Sequence, residues 1–265
     1  MPEPDLTHLR LERPADGVAL LVLDNPDQRN AMSEEMTESW VRAVDHLAGD
    51  DTVRAVVVTG AGTAFTSGGD TAWIAGEPDA SVDRLRTRMS AFYRSWLSIR
   101  RLEVPTIAAV NGPAIGAGLC LALACDLVYA APSARLGAPF VRLGLHPGMA
   151  ATWLLPQVVG VAAARDLLLT GRVVDAEEAL RLGLVSRVVD GDFLAGVLET
   201  AGQVAATAPI ASRLTKAALA GGGHDSIEDC LRWGALAQPV TMATADLQEG
   251  IRAARERRAP SFRGE

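Results

Sequence analysis

The sequence predicts an α/β core followed by a helical C-terminal region, on the basis of two observations. Up to about residue 145, short runs rich in Val, Ile and Leu and bounded by Gly, Pro, Asn or Asp alternate with helical patterns. After about residue 150, helical patterns dominate, interrupted by one predicted strand at 184–189. This order is typical of an α/β core with a helical extension. We therefore predict a core over 1–190 and a helical region over 191–265.

The predicted strands of the first half have nearly continuous apolar runs, which indicates that both faces of the sheet are covered. They span 6–13, 18–24, 53–60, 106–112 and 126–131. One helix is predicted to begin after Ser33, a residue type suited to the N-cap, and a second covers about 81–102. Further helices are predicted at 150–158, 161–169, 175–181, 192–207, 209–220, 226–237 and 241–258.

Composition narrows the class of protein. The 265 residues include 25 basic and 32 acidic side chains, so the net charge of −7 argues against a nucleic-acid partner. A hydrophobic content of 49% against 22% charged residues excludes a disordered chain. Apolar runs such as 119–125 are far shorter than the ~20 residues of a membrane span, and the first residues do not resemble a signal peptide. These features predict a cytoplasmic protein without a membrane partner.

Two classes of site chemistry are disfavoured by residue types. Lys216 is the chain's one lysine, which leaves little scope for Schiff-base catalysis. The cysteines are not in CxxC spacing, and the histidines at 8, 46 and 224 have no accompanying acids or cysteines, so we predict reduced thiols and no metal site.

Two glycine-rich segments follow predicted strands. The first, VVVTGAGTAFTSGGD (56–70), has Phe65 where a dinucleotide fingerprint needs its third glycine, and the residues after it are predicted to be extended. The second, AAVNGPAIGAGLCLALACD (108–126), lacks the Lys-Ser/Thr end of a phosphate loop but places Gly-Ala-Gly (116–118) at the start of an apolar helix. The first N–H groups of a helix are unpaired, so two such loops would form an oxyanion hole. Two tight turns without a ligand are the alternative.

Six segments, taken together and in their order along the chain, are specific evidence of a family resemblance, although each segment alone is weak evidence. They are NPDQRNAM (25–32), 56–70, 105–130, ARLGAPFVRLGLHPG (134–148), 167–189 and EGIRAARERRAPSF (249–262). With them the sequence resembles the crotonase (enoyl-CoA hydratase/isomerase) superfamily over nearly its whole length. The resemblance implies a crotonase-type spiral of ββα turns and a C-terminal helical region that drives assembly into a homotrimer or a dimer of trimers. It also implies an acyl-CoA thioester ligand, with coenzyme A as part of the substrate and no separate cofactor.

The resemblance also assigns residues to the site. It places the two oxyanion-hole donors on the backbone N–H groups of Gly69 and Ala117, where they would stabilise a thioester enolate. It implies that coenzyme A contacts Arg258 and Phe262, on this chain or a neighbouring subunit, and a set of residues near the first loop: Arg29, Ala31, Ser67, Asp70, Thr71 and Ala72. A solvated loop arginine is an equal interpretation of Arg29, and turn stabilisation is the favoured role of Asp70.

This sequence departs from the family pattern at the acid–base positions. Hydratases use two glutamates to hold and activate one water molecule, and the resemblance aligns those positions with Cys120 and Phe140. The loop over 145–148, where some relatives carry an aspartate, has no acid either. We therefore predict weak or absent hydration of simple enoyl-CoA substrates, with Phe140 bordering the substrate.

Two side chains are candidate replacements. Cys120 lies one helical turn beyond Ala117, and a thiol with a depressed pKa can act as acid, base or nucleophile, whereas a small apolar filler is the favoured alternative. Histidine is a common general acid or base, and His146 is either catalytic or structural.

The sequence thus predicts a crotonase-type lyase or isomerase of acyl-CoA metabolism. A catalytically silent acyl-CoA-binding or regulatory protein is the second hypothesis. An enzyme that cleaves carbon–carbon bonds in free diketones is the third.

Overall fold

A six-stranded sheet forms the centre of the fold. The computed structural model describes residues 3–220 and 223–265. Its strands, in chain order, are β1 (Leu9–Ala15), β2 (Val18–Leu23), β3 (Ala55–Gly60), β4 (Thr106–Val110), β5 (Pro113–Ile115), β6 (Leu127–Ala130), β7 (Arg135–Gly137), β8 (Val173–Asp175) and β9 (Arg187–Val188). The large sheet has the order β1-β2-β3-β4-β6-β9, and its strands run parallel except for the antiparallel pair β1–β2. A smaller sheet has the order β5-β7-β8.

Helices make up much of the described chain, and some of them cover both faces of the large sheet. They are α1 (Glu34–Ala48), α2 (Thr71–Ala75), α3 (Val82–Trp96), α4 (Ala117–Ala124), α5 (Ala151–Thr170), α6 (Ala176–Arg181), α7 (Phe193–Ala205), α8 (Pro209–Leu219), α9 (Ile227–Met242) and α10 (Ala245–Glu256). One core contains side chains of α1, α3 and α4, and α7 packs on the opposite face of the sheet. Every residue of β2, β3 and β4 is buried, which confirms the prediction of covered faces for these strands. The prediction is wrong for β1, which lies at the edge of the sheet and has only Leu9 buried. The division at residue 190 stays a prediction.

The predicted helix starts and ends have identifiable causes. The Ser33 hydroxyl accepts a hydrogen bond from the Met36 N–H, so Ser33 caps α1 as predicted. The helix predicted over 81–102 is α-helical only to Trp96 and continues as a 3-10 helix over 97–101. Trp96 is fully buried and stacks on Trp40 of α1, with ring centroids 5.0 Å apart.

Further local predictions differ from the structure. The strand predicted over 184–189 covers only Arg187–Val188. Residues after Phe65 are extended only to Gly69, because the Asp70 carboxylate accepts hydrogen bonds from the Ala72 and Trp73 N–H groups and so starts α2. The three-residue strands of the small sheet were not predicted, because so short a run has no detectable periodicity.

Helix α5 has the length and mean hydropathy of a membrane span, which the sequence patterns did not predict for this chain. The backbone at Gly160 is not helical (φ 73°, ψ 163°), so the 20-residue segment is two shorter helices, as predicted for 150–158 and 161–169. Its second half also contains Arg165 and Asp166. Each half is too short to cross a bilayer as a helix by itself.

Candidate active site

The loop after β3 is fixed by a buried asparagine. The Asn30 side-chain amide donates hydrogen bonds to the carbonyl oxygens of Ala61 and Ala64, both at 2.9 Å. The Asn30 carbonyl oxygen accepts from the Thr66 hydroxyl at 2.6 Å, and that hydroxyl accepts from the Gly68 N–H at 3.0 Å. Residues 61–68 therefore have one defined path, which ends at Gly69.

Helix α4 begins without a side-chain cap. Gly116 stands at its N-cap with φ +60° and ψ −118°, a conformation that favours glycine, and has no hydroxyl or carboxylate to accept hydrogen bonds from the first turn. The Gly116 N–H donates to the Gly137 carbonyl oxygen at 2.8 Å, which ties the turn to the small sheet. The next N–H, that of Ala117, is left at the open end of the helix.

The two glycine-rich loops lie against each other. Thr66 forms a parallel bridge with Ala114, and the Ile115 N–H donates to the Thr66 carbonyl oxygen at 3.1 Å. A Cβ built on Gly68 would lie 3.2 Å from the Ala117 nitrogen and would overlap the Ile115 carbonyl oxygen. Position 68 therefore requires glycine for two reasons: a Cβ would overlap the neighbouring loop, and the backbone has φ +89°.

Neither of the two predicted donors is used within the described part of the chain. The N–H groups of Gly69 and Ala117 donate to no acceptor there, although the neighbouring N–H groups of Gly68 and Gly116 do. The Ala117 N–H is the first of its helix and has no intrahelical partner, and the Gly69 N–H lies on the loop that touches it, so both donors are available to an external acceptor.

Apolar side chains surround these two N–H groups. A Cβ on Gly69 would lie 3.1 Å from Ile74 and 3.9 Å from the Phe92 ring. On the other side, a Cβ on Gly116 would lie 3.7 Å from the ring of Phe140. Trp73 stacks obliquely on Phe92, with centroids 5.1 Å apart. Apolar surroundings strengthen hydrogen bonds from fixed donors to a developing negative charge.

Most of the predicted coenzyme A contacts come together beside Gly69. The Met32 N–H donates to the Gly68 carbonyl oxygen and the Ser67 N–H donates to the Arg29 carbonyl oxygen, which pairs the two segments edge to edge. The pairing places five of the predicted contacts on neighbouring backbone, and all but the buried Ala31 are exposed: Arg29, Ala31, Ser67, Thr71 and Ala72. Asp70 caps α2, in agreement with the turn-stabilising role favoured for it from the sequence.

The structure places Arg258 and Phe262 elsewhere in the chain. The Arg258 guanidinium pairs with Glu249 and Glu256, and the Phe262 carbonyl oxygen accepts from Arg54 at 2.9 Å. Arg54 precedes β3 while Gly69 follows it, so Phe262 lies at the opposite end of a strand about 20 Å long. Within one chain these two residues do not join the Gly69 segment, and a contact from a neighbouring subunit stays a prediction.

Cys120 is sealed inside α4. Its side chain is 1% exposed, and its Sγ lies 3.8 Å from the Gly148 carbonyl oxygen. Burial raises the pKa of the Cys120 thiol to about 12, which is opposite to the depressed pKa that acid–base or nucleophilic chemistry would need. The geometry therefore favours the apolar-filler interpretation.

The loop around His146 touches this region through a different residue. His146 is exposed and forms no hydrogen bond with the described residues. Gly148, two residues later, is buried, and a Cβ built there would overlap the hydroxyl oxygen of Tyr93. Tyr93 lies on α3 next to Phe92, and burial followed by the nearby Cys120 raises its pKa.

A cavity of about 680 Å³ occupies a different part of the molecule. It is lined by Pro105 and Asp126, which precede β4 and β6, and by side chains of α5 and α8 such as Leu154 and Lys216. Ligands of parallel α/β sheets bind at the carboxyl ends of strands, where Gly69 lies, and this cavity is at the amino ends. It is therefore separate from the candidate site.

The candidate site thus consists of two touching loops whose N–H groups at Gly69 and Ala117 have no acceptor among the described residues. Residues 13–265 match the enoyl-CoA hydratase/isomerase family. The chain belongs to this family.

Similar proteins agree with this assignment. A Thermus thermophilus protein named as a candidate enoyl-CoA hydratase is 42% identical over 246 residues, which cover 92% of this chain and 97% of that protein. A probable enoyl-CoA hydratase of Mycobacterium tuberculosis is 44% identical over 214 residues, covering 80% of this chain and 82% of the relative. The crystal structure of a Bacillus anthracis enoyl-CoA hydratase superposes with a TM-score of 0.91 at 32% identity, covering 98% of this chain and all of that one. These matches confirm the predicted crotonase fold.

Two residues of the site region were missed by sequence reasoning. Asn30 lies in the NPDQRNAM segment, and its burial beside the glycine-rich loop gives no periodic pattern. Tyr93 lies within the helix predicted over 81–102, but its position against Gly148 depends on packing between distant segments.

Proposed function

We propose that this protein is an acyl-CoA enzyme that stabilises a thioester enolate through the N–H groups of Gly69 and Ala117. The supporting observation is that both groups lack an acceptor in the described chain while their loops touch. Enolate formation places negative charge on the thioester oxygen, and two fixed dipoles in an apolar pocket would favour that charge over the neutral ground state. Coenzyme A would enter as part of the substrate, along the paired segments of Arg29 and Ser67.

We further propose that hydration is not an efficient reaction of this enzyme. The side chains next to the free N–H groups are a neutral buried thiol at Cys120 and a hydrocarbon ring at Phe140. Neither accepts a proton from water at neutral pH, so the water activation on which hydratases depend is missing.

Crotonyl-CoA hydration by the purified protein tests this proposal. We expect turnover near the uncatalysed background, together with calorimetric binding of butyryl-CoA. Rapid hydration that Cys120→Ala abolishes would contradict the proposal and would make the thiol a proton carrier. No binding of any acyl-CoA would contradict the enolate site itself and favour a substrate that is not a coenzyme A ester.

The second candidate is an acyl-CoA-binding protein without catalysis. Cys120 and Phe140 favour it, because neither side chain supplies a carboxylate for acid–base chemistry. The two candidates differ in one measurement, the exchange of the α-hydrogens of bound butyryl-CoA with D₂O. Exchange requires an enolate, so an enzyme catalyses it and a silent binder does not.

The proposal also includes an oligomeric state and a cellular compartment. A homotrimer or a dimer of trimers in the cytoplasm would cover the apolar side chains that α9 exposes in the single chain, among them Ile227 and Leu236.

A further inference from the structure

Helix α3 carries two consecutive aromatic residues, one beside Gly69 of the first glycine-rich loop and one beside Gly148. Phe92 faces Gly69, as described above. The next residue, Tyr93, has its hydroxyl against Gly148, at a point where any side chain at 148 would collide with it. Any side chain at position 148 would therefore have to displace this hydroxyl, which belongs to a residue 55 positions earlier in the chain.

The same hydroxyl is close to Cys120, one helical turn from the Ala117 donor. Cys120 contacts the Gly148 carbonyl oxygen, and the phenol contacts the Gly148 backbone, so the three residues meet. Tyr93 therefore brings an O–H group into the region where the two apolar residues, Cys120 and Phe140, leave the site without a carboxylate.

The hydroxyl is also unengaged. It forms no hydrogen bond with the described residues. It is also not among the fully buried side-chain atoms that lack a partner, so its oxygen is accessible from the space beside it. Tyr93 as a whole is half-buried and packs on the main core. A phenol that is fixed by its ring and free at its oxygen is suited to transfer a proton to a bound molecule.

We propose that Tyr93 is the proton donor to the α-carbon of the thioester enolate in this site. This inference rests on the proposed function and names the group that performs its proton transfer. In the step, the Tyr93 O–H bond breaks and a C–H bond forms at the α-carbon. The electron pair of the enolate C=C bond forms that C–H bond, the thioester carbonyl is restored, and the phenolate regains a proton from solvent water.

The direction of transfer follows from the surroundings of the phenol. Burial raises the pKa of Tyr93 above its usual value near 10, so the group is protonated at neutral pH and acts as an acid. By microscopic reversibility, the rare phenolate removes an α-proton. Its population rises about tenfold per pH unit below the pKa, so enzyme-dependent exchange should rise in the same way.

Exchange of the α-hydrogens of butyryl-CoA with D₂O, followed by mass spectrometry between pH 7 and 9, tests the proposal. We expect Tyr93→Phe to lower the enzyme-dependent rate by 10²–10⁴-fold, the usual range for a general acid–base group. Calorimetry should give a dissociation constant for butyryl-CoA within a few-fold of the wild-type value.

The chain offers a matched control, because its other tyrosine lies outside the site. Tyr129 of β6 is in the second core, under the guanidinium of Arg187, and Tyr129→Phe should leave both exchange and binding unchanged. Equal exchange in Tyr93→Phe and the wild type would overturn the role of Tyr93 and leave the enolate site intact. Binding without exchange in the wild type would also overturn it and support the silent binder. A wild type that neither binds nor exchanges would overturn both proposals.

Discussion

At the scale of single residues, Ala117 permits a direct test of one backbone donor. It is the first residue of α4, a position where proline fits the helix but has no N–H. We expect Ala117→Pro to lower α-hydrogen exchange by 10²–10³-fold, about 3–4 kcal/mol, the usual effect of losing one oxyanion-hole donor.

Ala176→Pro is the matched control for this change. Ala176 is the first residue of α6, and its N–H has no acceptor among the described residues. It lies outside the site, so exchange should stay at the wild-type rate. Unaltered exchange in Ala117→Pro, with binding intact, would show that the Ala117 N–H does not contact the oxyanion.

The path of the first loop should depend on Asn30. Asn30→Asp keeps the oxygen that accepts from the Asn25 N–H but removes the amide donors and places a carboxylate against two or more carbonyl oxygens. Buried acceptors left unpaired cost about 1–3 kcal/mol each. We expect a loss of unfolding free energy of at least that size in urea denaturation, and faster amide exchange at residues 61–69. A variant as stable as the wild type would show that Asn30 does not hold the loop.

The buried thiols should be inert in the folded protein. Burial raises the pKa of Cys120 and of Cys125 to about 12, whereas Cys230 is exposed. A disulfide reagent at pH 8 should therefore modify one thiol rapidly, and Cys230→Ser should remove that phase. Because both folded pKa values are raised, their stabilising effect is present below the unfolded pKa near 8.5 and is lost as pH rises toward 12. Rapid modification of a second thiol would contradict the sealed position of Cys120 and Cys125.

At the scale of elements, Lys216 joins α8 to the sheet. Its Nζ donates to the Val104 carbonyl oxygen and lies 2.8 Å from the Asp126 carboxylate. Asp126 also accepts from the Thr106 N–H and hydroxyl, so it links the amino ends of β4 and β6. The chain's one lysine therefore has a structural role, which is to hold α8 against the sheet.

Lys216→Met should release that junction. The methionine retains most of the apolar stem but leaves the Val104 carbonyl oxygen and part of the Asp126 carboxylate unpaired, so we expect a loss of about 2 kcal/mol of unfolding free energy. Adding Asp126→Asn should cost less in this background than in the wild type, a double-mutant cycle that isolates the ion pair. Additive losses would show that the pair is not coupled.

At the scale of the whole molecule, α9 exposes more apolar surface than a lone chain is expected to. Leu231 and Leu236 are 61% and 73% exposed. We expect light scattering to give three or six times 27.8 kDa, and replacement of both leucines by glutamate to lower the mass.

Val82→Glu is the control for that experiment, since Val82 is 83% exposed at the start of α3. It should leave the mass unchanged. A wild-type protein that is monomeric at micromolar concentration would contradict the proposed assembly.

The family, the fold and both glycine-rich loops were predictable because they depend on local features: residue order, strand-like runs, and glycines that permit a particular turn. The resemblance to the family also predicts, without a structure, that Cys120 and Phe140 stand at the positions of the two hydratase glutamates. Helix positions were predicted well where a cap or a periodic stripe exists, as at Ser33, and poorly where a single side chain such as Asp70 starts a short helix.

The tertiary structure decided which of these residues act on one another. Whether the N–H groups of Gly69 and Ala117 are free depends on the pairing of two segments some fifty residues apart, and the positions of Tyr93 and of Arg258 depend on how helices pack. The pKa of Cys120 is likewise a property of burial, which no sequence neighbour determines. Local patterns specify backbone conformation, whereas contacts and desolvation arise only when distant segments are brought together.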